Sequence, residues 1–347
     1  MIKKRVKILL MLLCLAMGTS TPCMVKAENT EQEEKVYYIT PEDAGWSELG
    51  SVSNKIEACR IDNEILDQMT DGELVQAVLD FPFIIDLFLY DDYDVAIDEL
   101  YKNSDAFREL LSRESAKDVV MDRIETQKKT RAYSTSTKTE LDNDALMIMM
   151  LYTDGLKDKV TDDDIEVLDG FSNIFTINPE KINPGARMAY LYTPNGTSVA
   201  CRTPSCSHDN SSYHSELDTQ VVATYGVTLV SAGTCRYNCH SYAWYTTSSN
   251  NGIWIDNPSA YMTDGSYSML MSGLYTISSN AGNGAKVCYG SYLSPLHSAI
   301  LTSGASNITL RNRIATSKWG SAGVFTHAVD NVPALYWDSA YSISVWN

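Results

Sequence analysis

The residues best suited to covalent chemistry lie around Cys239, which begins the segment Cys-His-Ser-Tyr-Ala-Trp at 239–244. A polar run that favours turns, 231–236, precedes this segment, and the segment itself can be helical. A cysteine at a helix N-terminus lies among unpaired backbone N–H groups at the positive end of the helix dipole. Both features stabilise a thiolate, and the same N–H groups can bind an oxyanion. The alternative is a buried structural cysteine followed by an aromatic core helix.

A second reactive residue, His297, precedes the apolar run Ser-Ala-Ile-Leu at 298–301. A strand beginning at His297 would present the imidazole to the start of the helix. There it can take the thiol proton and later protonate a leaving group. A single histidine entering a strand is more often structural, but its combination with a helix-opening cysteine is rarer. We therefore expect Cys239 to be a nucleophile and His297 to be its base.

Two other histidines are rival bases. On a helix, His240 would point about 100° away from Cys239, so we expect it in a pocket or at the surface. His327 follows the turn at Trp319, and we expect it to line the cleft. Together with Trp244 and Trp319, His327 is a candidate for substrate binding. The alternative is that these aromatic side chains belong to the core.

The two motifs resemble those of CHAP domains. The residues 239–243 resemble the C-x-x-Y/F-A start of these domains, and 297–300 resemble the H-x-A/G-apolar strand that carries their histidine. The string Tyr-Asn-Cys-His-Ser-Tyr-Ala-Trp also resembles uncharacterised secreted Gram-positive proteins with an NlpC/P60-type arrangement. The resemblance covers roughly residues 186–330. It implies a papain-like α+β fold, with a central helix on an antiparallel sheet, and hydrolysis of amide bonds, often in peptidoglycan, through a thioester and without a cofactor. The alternatives are a deamidase or an acyltransferase, or a secreted binding protein that keeps the fold and has lost activity.

The sequence departs from this family where a third polar residue usually orients the imidazole. An acid or asparagine is common there, whereas this chain has Thr-Ser-Lys-Trp at 316–319. Ser317 is the expected orienting residue, and Asn307, Asn312 or a backbone carbonyl are alternatives. Asn238 directly precedes the nucleophile, and either assists the oxyanion site or forms the turn.

The remaining cysteines suggest disulfides more than a metal site. We expect Cys59 to be a small buried apolar residue. Up to two bridges can join the other four cysteines, and the alternative is that all are free thiols; the four are Cys201, Cys206, Cys235 and Cys288. Cys201 and Cys206 are the easiest local pair. With His208 and His214 they provide zinc-ligand types, but not at the spacing of a standard module, so no metal site is expected.

The first 27 residues predict export. They contain a basic start, an apolar run of about ten residues that is too short to span a bilayer, and Val-Lys-Ala before the expected cleavage point. Removing five basic residues changes the formal net charge from −17 to −22. This acidic balance argues against nucleic acid or anionic lipid as a partner. We expect a secreted protein, associated with the cell wall and without a membrane partner after cleavage.

Changes in amino-acid composition divide the rest of the chain into five parts. Thr70 and Glu73 form a predicted capping box in the helical part, and later polar runs predict a linker. The parts are a disordered lead-in at 28–40, a helical domain at 41–126, a linker at 127–140, a helical bridge at 141–185 and the papain-like domain at 186–347. Strands are predicted at 188–192, 221–230, 285–289, 299–302 and 307–311. The helical domain is either a partner-binding module or an inhibitory segment released at 128–131.

Overall fold

The computed structural model describes residues 36–90, 93–132, 143–169, 187–204, 211–277, 281–303, 307–336 and 342–347. The predicted signal segment, most of the lead-in and residues 133–140 of the predicted linker lie outside these ranges. Within the described part, the chain is a mixture of helices and antiparallel sheet, so the α+β class is confirmed. No helix among the described residues is long and apolar enough to cross a membrane.

The N-terminal half is helical, as its apolar spacing predicts, and side-chain caps begin several of its helices. Thr70 and Glu73 form both bonds of the capping box, and the Ser104 hydroxyl accepts a bond from the Phe107 N–H at 3.2 Å. Each such cap contributes about 1 kcal/mol to helix stability. The helices are α1 Val52–Ala58, α2 Asn63–Leu66, α3 Asp71–Leu79, α4 Tyr93–Asn103, α5 Asp105–Ser112, α6 Ala116–Ala132, α7 Asn143–Leu151 and α8 Asp162–Asp169. Short 3-10 helices occur at Ala44–Leu49, Ile84–Phe88 and Lys157–Lys159.

The C-terminal half contains two antiparallel sheets and three further helices. A three-stranded sheet has the order β1-β2-β4, and a seven-stranded sheet has the order β3-β9-β8-β7-β6-β10-β5. The strands are β1 Arg187–Tyr192, β2 Ser198–Thr203, β3 Thr228–Ser231, β4 Trp254–Ile255, β5 Met269–Ser272, β6 Lys286–Ser291, β7 Ser294–Ser303, β8 Ile314–Lys318, β9 Val324–Ala328 and β10 Ile343–Trp346. The helices are α9 Ser211–Tyr225, α10 Cys239–Trp244 and α11 Ser259–Thr263, and 3-10 helices lie at Leu310–Asn312 and Ala334–Tyr336.

Both faces of the seven-stranded sheet are buried in its central strands, whereas the edge strand β3 is exposed and the edge strand β5 is partly exposed. Helix α10 contacts β7 and β8 of this sheet and β4 of the smaller sheet, and Ile300 belongs to the core cluster on that side. Ala299 and Leu301 instead share a core cluster with the N-terminal helices and α9. Since successive side chains of a strand point to opposite faces, β7 contributes to two separate cores.

The helical region and the sheet share one core rather than forming two domains, and Val36–Asn347 is one compact unit. The Trp46 indole N–H donates to the Thr224 carbonyl at 2.8 Å, and the Ser321 N–H donates to the Phe88 carbonyl at 3.0 Å. The end of the predicted disordered lead-in is also part of this unit, because the buried Tyr37 hydroxyl donates to the Ala77 carbonyl at 2.7 Å. The domain boundary that the sequence predicted is therefore not a boundary in the core.

Two predicted strands are wrong, and the predicted linker starts too early. Residues 221–225 end helix α9, because Leu217, Val221 and Tyr225 follow one another at the four-residue spacing of a buried helix face. Only 228–230 of that predicted strand is extended, as part of β3. The predicted strand at 307–311 is instead a bridge at Thr309 followed by a 3-10 turn. Helix α6 continues to residue 132.

Candidate functional site

Cys239 is the first residue of α10, as the sequence predicts, and Asn238 is its N-cap. The Asn238 carboxamide oxygen accepts bonds from the N–H groups of Ser241 at 3.1 Å and Ile255 at 3.3 Å. Its amide nitrogen donates to the Ile255 carbonyl at 2.9 Å. Asn238 therefore joins the helix start to β4, which fits the turn-forming alternative better than an oxyanion role. The Cys239 side chain is not in a disulfide and is only 6% exposed.

His297 lies on β7 with its imidazole wholly buried. The ring stacks on Tyr336, with ring centroids 3.8 Å apart and planes 5° apart, and tilts against Tyr289 at 5.3 Å. Neither ring nitrogen has a hydrogen-bond partner. Burial, reinforced by His327 and His240, holds the pKa of His297 well below its usual value, so this imidazole is neutral.

The structure does not bring His297 to Cys239, and this corrects the expected pairing. The neighbour of His297 on the strand, Ser298, is the residue that meets α10. The Ser298 hydroxyl lies 2.8 Å from His240 Nδ1 and accepts a bond from the Trp244 indole N–H at 2.9 Å. Because side chains alternate along β7, His297 points to the opposite face of the sheet. The chemical roles assigned to the two residues stay predictions.

Ser317 does not orient His297 either. Its hydroxyl lies 2.8 Å from His327 Nε2 and accepts a bond from the Trp319 indole N–H at 2.8 Å. The other ring nitrogen of His327 donates to the Ala328 carbonyl at 2.8 Å. Ser317 therefore positions His327. The expected substrate groove is also absent from these positions, because Trp244, Trp319 and His327 are all buried.

His327–Ser317–Trp319 and His240–Ser298–Trp244 form two His–Ser–Trp networks, one on each face of the sheet. In each network the indole N–H donates to the serine oxygen, so the hydrogen of the serine hydroxyl points to the imidazole. The second nitrogen of His240 bonds to the backbone at Pro295. Burial lowers the pKa of each of these two histidines to about 4. Both imidazoles are neutral and satisfied, and both serines are inaccessible, which indicates structural clamps.

These networks were not predicted. Histidine, serine and tryptophan recur in and beside α10, β7, β8 and β9, but nothing in the sequence indicated which of these residues would meet. Ser298, from the motif that begins at His297, bonds His240 instead, and Ser317, from the segment 316–319, bonds His327.

A buried cation lies close to the start of α10. The Lys318 ammonium donates to the Gly320 carbonyl and lies 5.4 Å from the centroid of the Tyr237 ring, two residues before Cys239. Asp218 of α9 accepts bonds from the N–H groups of Gly233 at 2.8 Å and Gly323 at 2.6 Å. Burial raises the pKa of Asp218, while these bonds and Lys318 oppose the rise. Lys318 and Asp218 together fix the loop between β3 and Cys239.

The cysteines differ from the expected pairing. Cys235 is disulfide-bonded, and its partner lies outside the described residues. Cys201 and Cys288 are not in disulfides, so the easiest local pair, Cys201 with Cys206, does not form, whereas Cys59 is a buried free thiol as expected. Among the described residues no group of three metal-ligating side chains occurs; Cys206 and His208 of the zinc alternative lie outside them.

Comparisons with protein-family models, with curated proteins and with solved structures found no match for this chain. The resemblance to CHAP and NlpC/P60 domains therefore depends on the two short motifs alone.

Proposed function

We propose that this chain is an exported protein that binds cell-wall peptidoglycan, or a peptide, without cleaving it. The observation that carries the proposal is the register of β7, which directs Ser298 toward α10 and His297 away from it. The expected activation of the Cys239 thiol by an adjacent His297 imidazole is therefore lost, because the ring nitrogens of His297 have no hydrogen-bond partner. Export and the choice of partner are supported by the N-terminal segment and by the resemblance to CHAP and NlpC/P60 domains.

The proposal includes a papain-like fold that is restricted to α10 and the sheet on which this helix packs. A helix that begins at a cysteine and packs on an antiparallel sheet supports it. The buried His–Ser–Trp networks occupy the positions where the resemblance implies a cleft. They give this part of the molecule rigidity, which suits a scaffold for binding.

Cell-wall zymography and sedimentation with insoluble peptidoglycan test the proposal. We expect the wild-type protein and Cys239→Ala to sediment with the wall material to the same extent, and neither to clear it. Clearing by the wild type that Cys239→Ala abolishes would overturn the proposal. Failure of both proteins to sediment with any wall type would remove peptidoglycan as the partner.

The second candidate function is amide hydrolysis at Cys239. The observation in its favour is that the cysteine opens α10 and is not in a disulfide, as the resemblance requires of a nucleophile. The thiolate would attack the amide carbonyl, the leaving amine would take a proton, and water would hydrolyse the thioester. The base for this reaction would have to be a residue other than His297 in the described conformation.

Alkylation distinguishes the two candidates independently of the substrate. Mass spectrometry after treatment with iodoacetamide near neutral pH measures the rate at each cysteine. Cys201 is a matched internal control, because it is a buried thiol on the same side of the large sheet. We expect similar slow rates at Cys239 and Cys201. A much faster reaction at Cys239 would indicate a poised thiolate and favour the hydrolase.

A further inference from the structure

A cleft of about 430 Å³ lies at the C-terminal end of α9. It is lined by the 3-10 helix Ala44–Leu49 and the residues before it, by Lys55 of α1, by the last turn of α9 with Gly226, and by Asn331. Its volume falls within the range of about 300–1,000 Å³ that small-molecule sites occupy. Nothing in the Cys239 site uses the residues of this cleft.

Lys55 gives the cleft a buried cation. The residue is only 3% exposed, and its ammonium donates one hydrogen bond, to the Thr224 carbonyl at 2.8 Å. It also lies 5.3 Å from the centroid of the Trp46 ring. No carboxylate among the described residues forms an ion pair with it, and burial lowers its pKa. The carbonyl at the negative end of α9 accounts for one of the three ammonium donors.

Asn331 provides an unused acceptor beside this cation. Its amide nitrogen donates to the Tyr225 carbonyl at 2.9 Å, whereas its carboxamide oxygen is buried without any hydrogen-bond partner. Buried polar atoms of this kind are rare and call for an explanation. Lys55 and Asn331 bind consecutive carbonyls at the end of one helix, those of Thr224 and Tyr225, and both residues line the cleft.

The acidic residues of the cleft restrict the ligand further. Glu42 and Asp43 line it as well, and the Asp43 carboxylate accepts a bond from the Thr40 N–H at 2.8 Å. A multiply charged anion such as phosphate would be repelled by these two carboxylates. A ligand with a single carboxylate and a positive or neutral remainder fits the distribution of charge.

We propose that this cleft binds the carboxyl-terminal end of a short peptide. The terminal carboxylate accepts bonds from Lys55, and the adjacent peptide N–H donates to the Asn331 carboxamide oxygen. A free amino group at the other end of a dipeptide is attracted by Glu42 and Asp43. The inference adds a specific site to the binding function proposed above and does not depend on it, since a dipeptide can bind in this cleft whether or not the protein sediments with cell-wall material.

Calorimetric titration of the whole protein with three probes tests the chemistry. The probes are alanylalanine, alanylalanine amide, which lacks the carboxylate, and acetate, which lacks the N–H donor. We expect alanylalanine to bind at least about tenfold more tightly than either of the others. The amide loses the charge-assisted bond to Lys55, and acetate leaves the buried Asn331 oxygen unpaired, and each loss corresponds to roughly a tenfold change in affinity. No binding of alanylalanine at millimolar concentration, or equal binding of alanylalanine and its amide, would overturn the inference. Equal binding of acetate would reduce the site to a simple anion site and also overturn it.

Three variants locate the binding. Lys55→Met keeps the apolar stem and removes the ammonium, so we expect at least about tenfold weaker binding. Ala223→Trp fills the cleft from an exposed position on α9 and should abolish binding, even if Lys55→Met fails to fold. Lys159→Met removes an exposed lysine outside the cleft and should bind as the wild type does. Wild-type affinity in Ala223→Trp would contradict the assignment.

Discussion

His297 illustrates how a catalytic residue type can occur in a structural environment. Two ring nitrogens without partners in a protein core destabilise the folded state, by about 1–3 kcal/mol for each unsatisfied group. Stacking on Tyr336 offsets part of this, since aromatic pairs contribute about 0.5–1.5 kcal/mol beyond area burial. The position therefore gains its stability from the ring and not from its polar atoms.

Replacing His297 by phenylalanine separates these contributions. We expect His297→Phe to leave the free energy of unfolding unchanged or to raise it, because the ring stays and the unsatisfied nitrogens go. His327→Phe is the matched control: it leaves the Ser317 hydroxyl without its partner and should lower stability by about 1–3 kcal/mol. Urea denaturation measures both. Strong destabilisation by His297→Phe, equal to that of His327→Phe, would show that the His297 nitrogens make bonds in solution.

The element that the sequence could not orient is β7. Its start at a histidine and its apolar content predicted a strand, and α10 was predicted from its N-terminal cysteine. The face that meets α10 was not predictable, because Ile300 on one face and Ala299 and Leu301 on the other are all buried. A strand buried on both faces lacks the alternation that fixes register from sequence. The α9 error has a related cause, since Val221 and Val222 favour strands until a distant helix surface covers them.

The contact between the β8–β9 turn and the segment after Ile84–Phe88 is close enough to test by mutation. Gly320 has φ of +43°, and a Cβ there would lie 2.4 Å from the Leu89 backbone. We expect Gly320→Ala to lower the thermal midpoint markedly, because backbone must move to admit the methyl group. Gly72→Ala, in α3 with nothing within 4 Å of the added Cβ, should raise stability by up to about 1 kcal/mol. Similar midpoints for the two variants would contradict this packing.

At the scale of the whole molecule, buried titratable groups on the two sides of the shared core respond to pH in opposite directions. His240 and His327 have folded-state pKa values of about 4, against about 6.5 in the unfolded chain. Their contribution to stability is fully present above pH 6.5 and is lost as the pH falls toward 4. Burial raises the pKa of Asp86 to about 8, against about 3.9 in the unfolded chain. Its contribution is therefore fully present only below about pH 4 and is lost progressively as the pH rises to 8.

These opposing contributions predict a stability maximum near pH 6–7, measured as the free energy of unfolding in urea between pH 4.5 and 8.5. Asp86→Asn keeps an acceptor for the Tyr225 hydroxyl, which bonds Asp86 at 2.5 Å, but cannot ionise. We expect this variant to lose the decline on the alkaline side and to keep the decline on the acid side. Glu48→Gln, on the exposed surface, should follow the wild-type profile. An unchanged alkaline decline in Asp86→Asn would exclude Asp86 as its cause.

The bond from Trp46 to the Thr224 carbonyl joins residues 178 positions apart in the chain. The 3-10 helix Ala44–Leu49 therefore cannot complete its packing until residue 224 has left the ribosome, although several of the N-terminal α-helices pack on one another. Folding dominated by such distant contacts is slow. If the chain is exported as proposed, slow folding would keep it unfolded while it passes through a translocation channel. It would then complete its folding outside the cytoplasmic membrane.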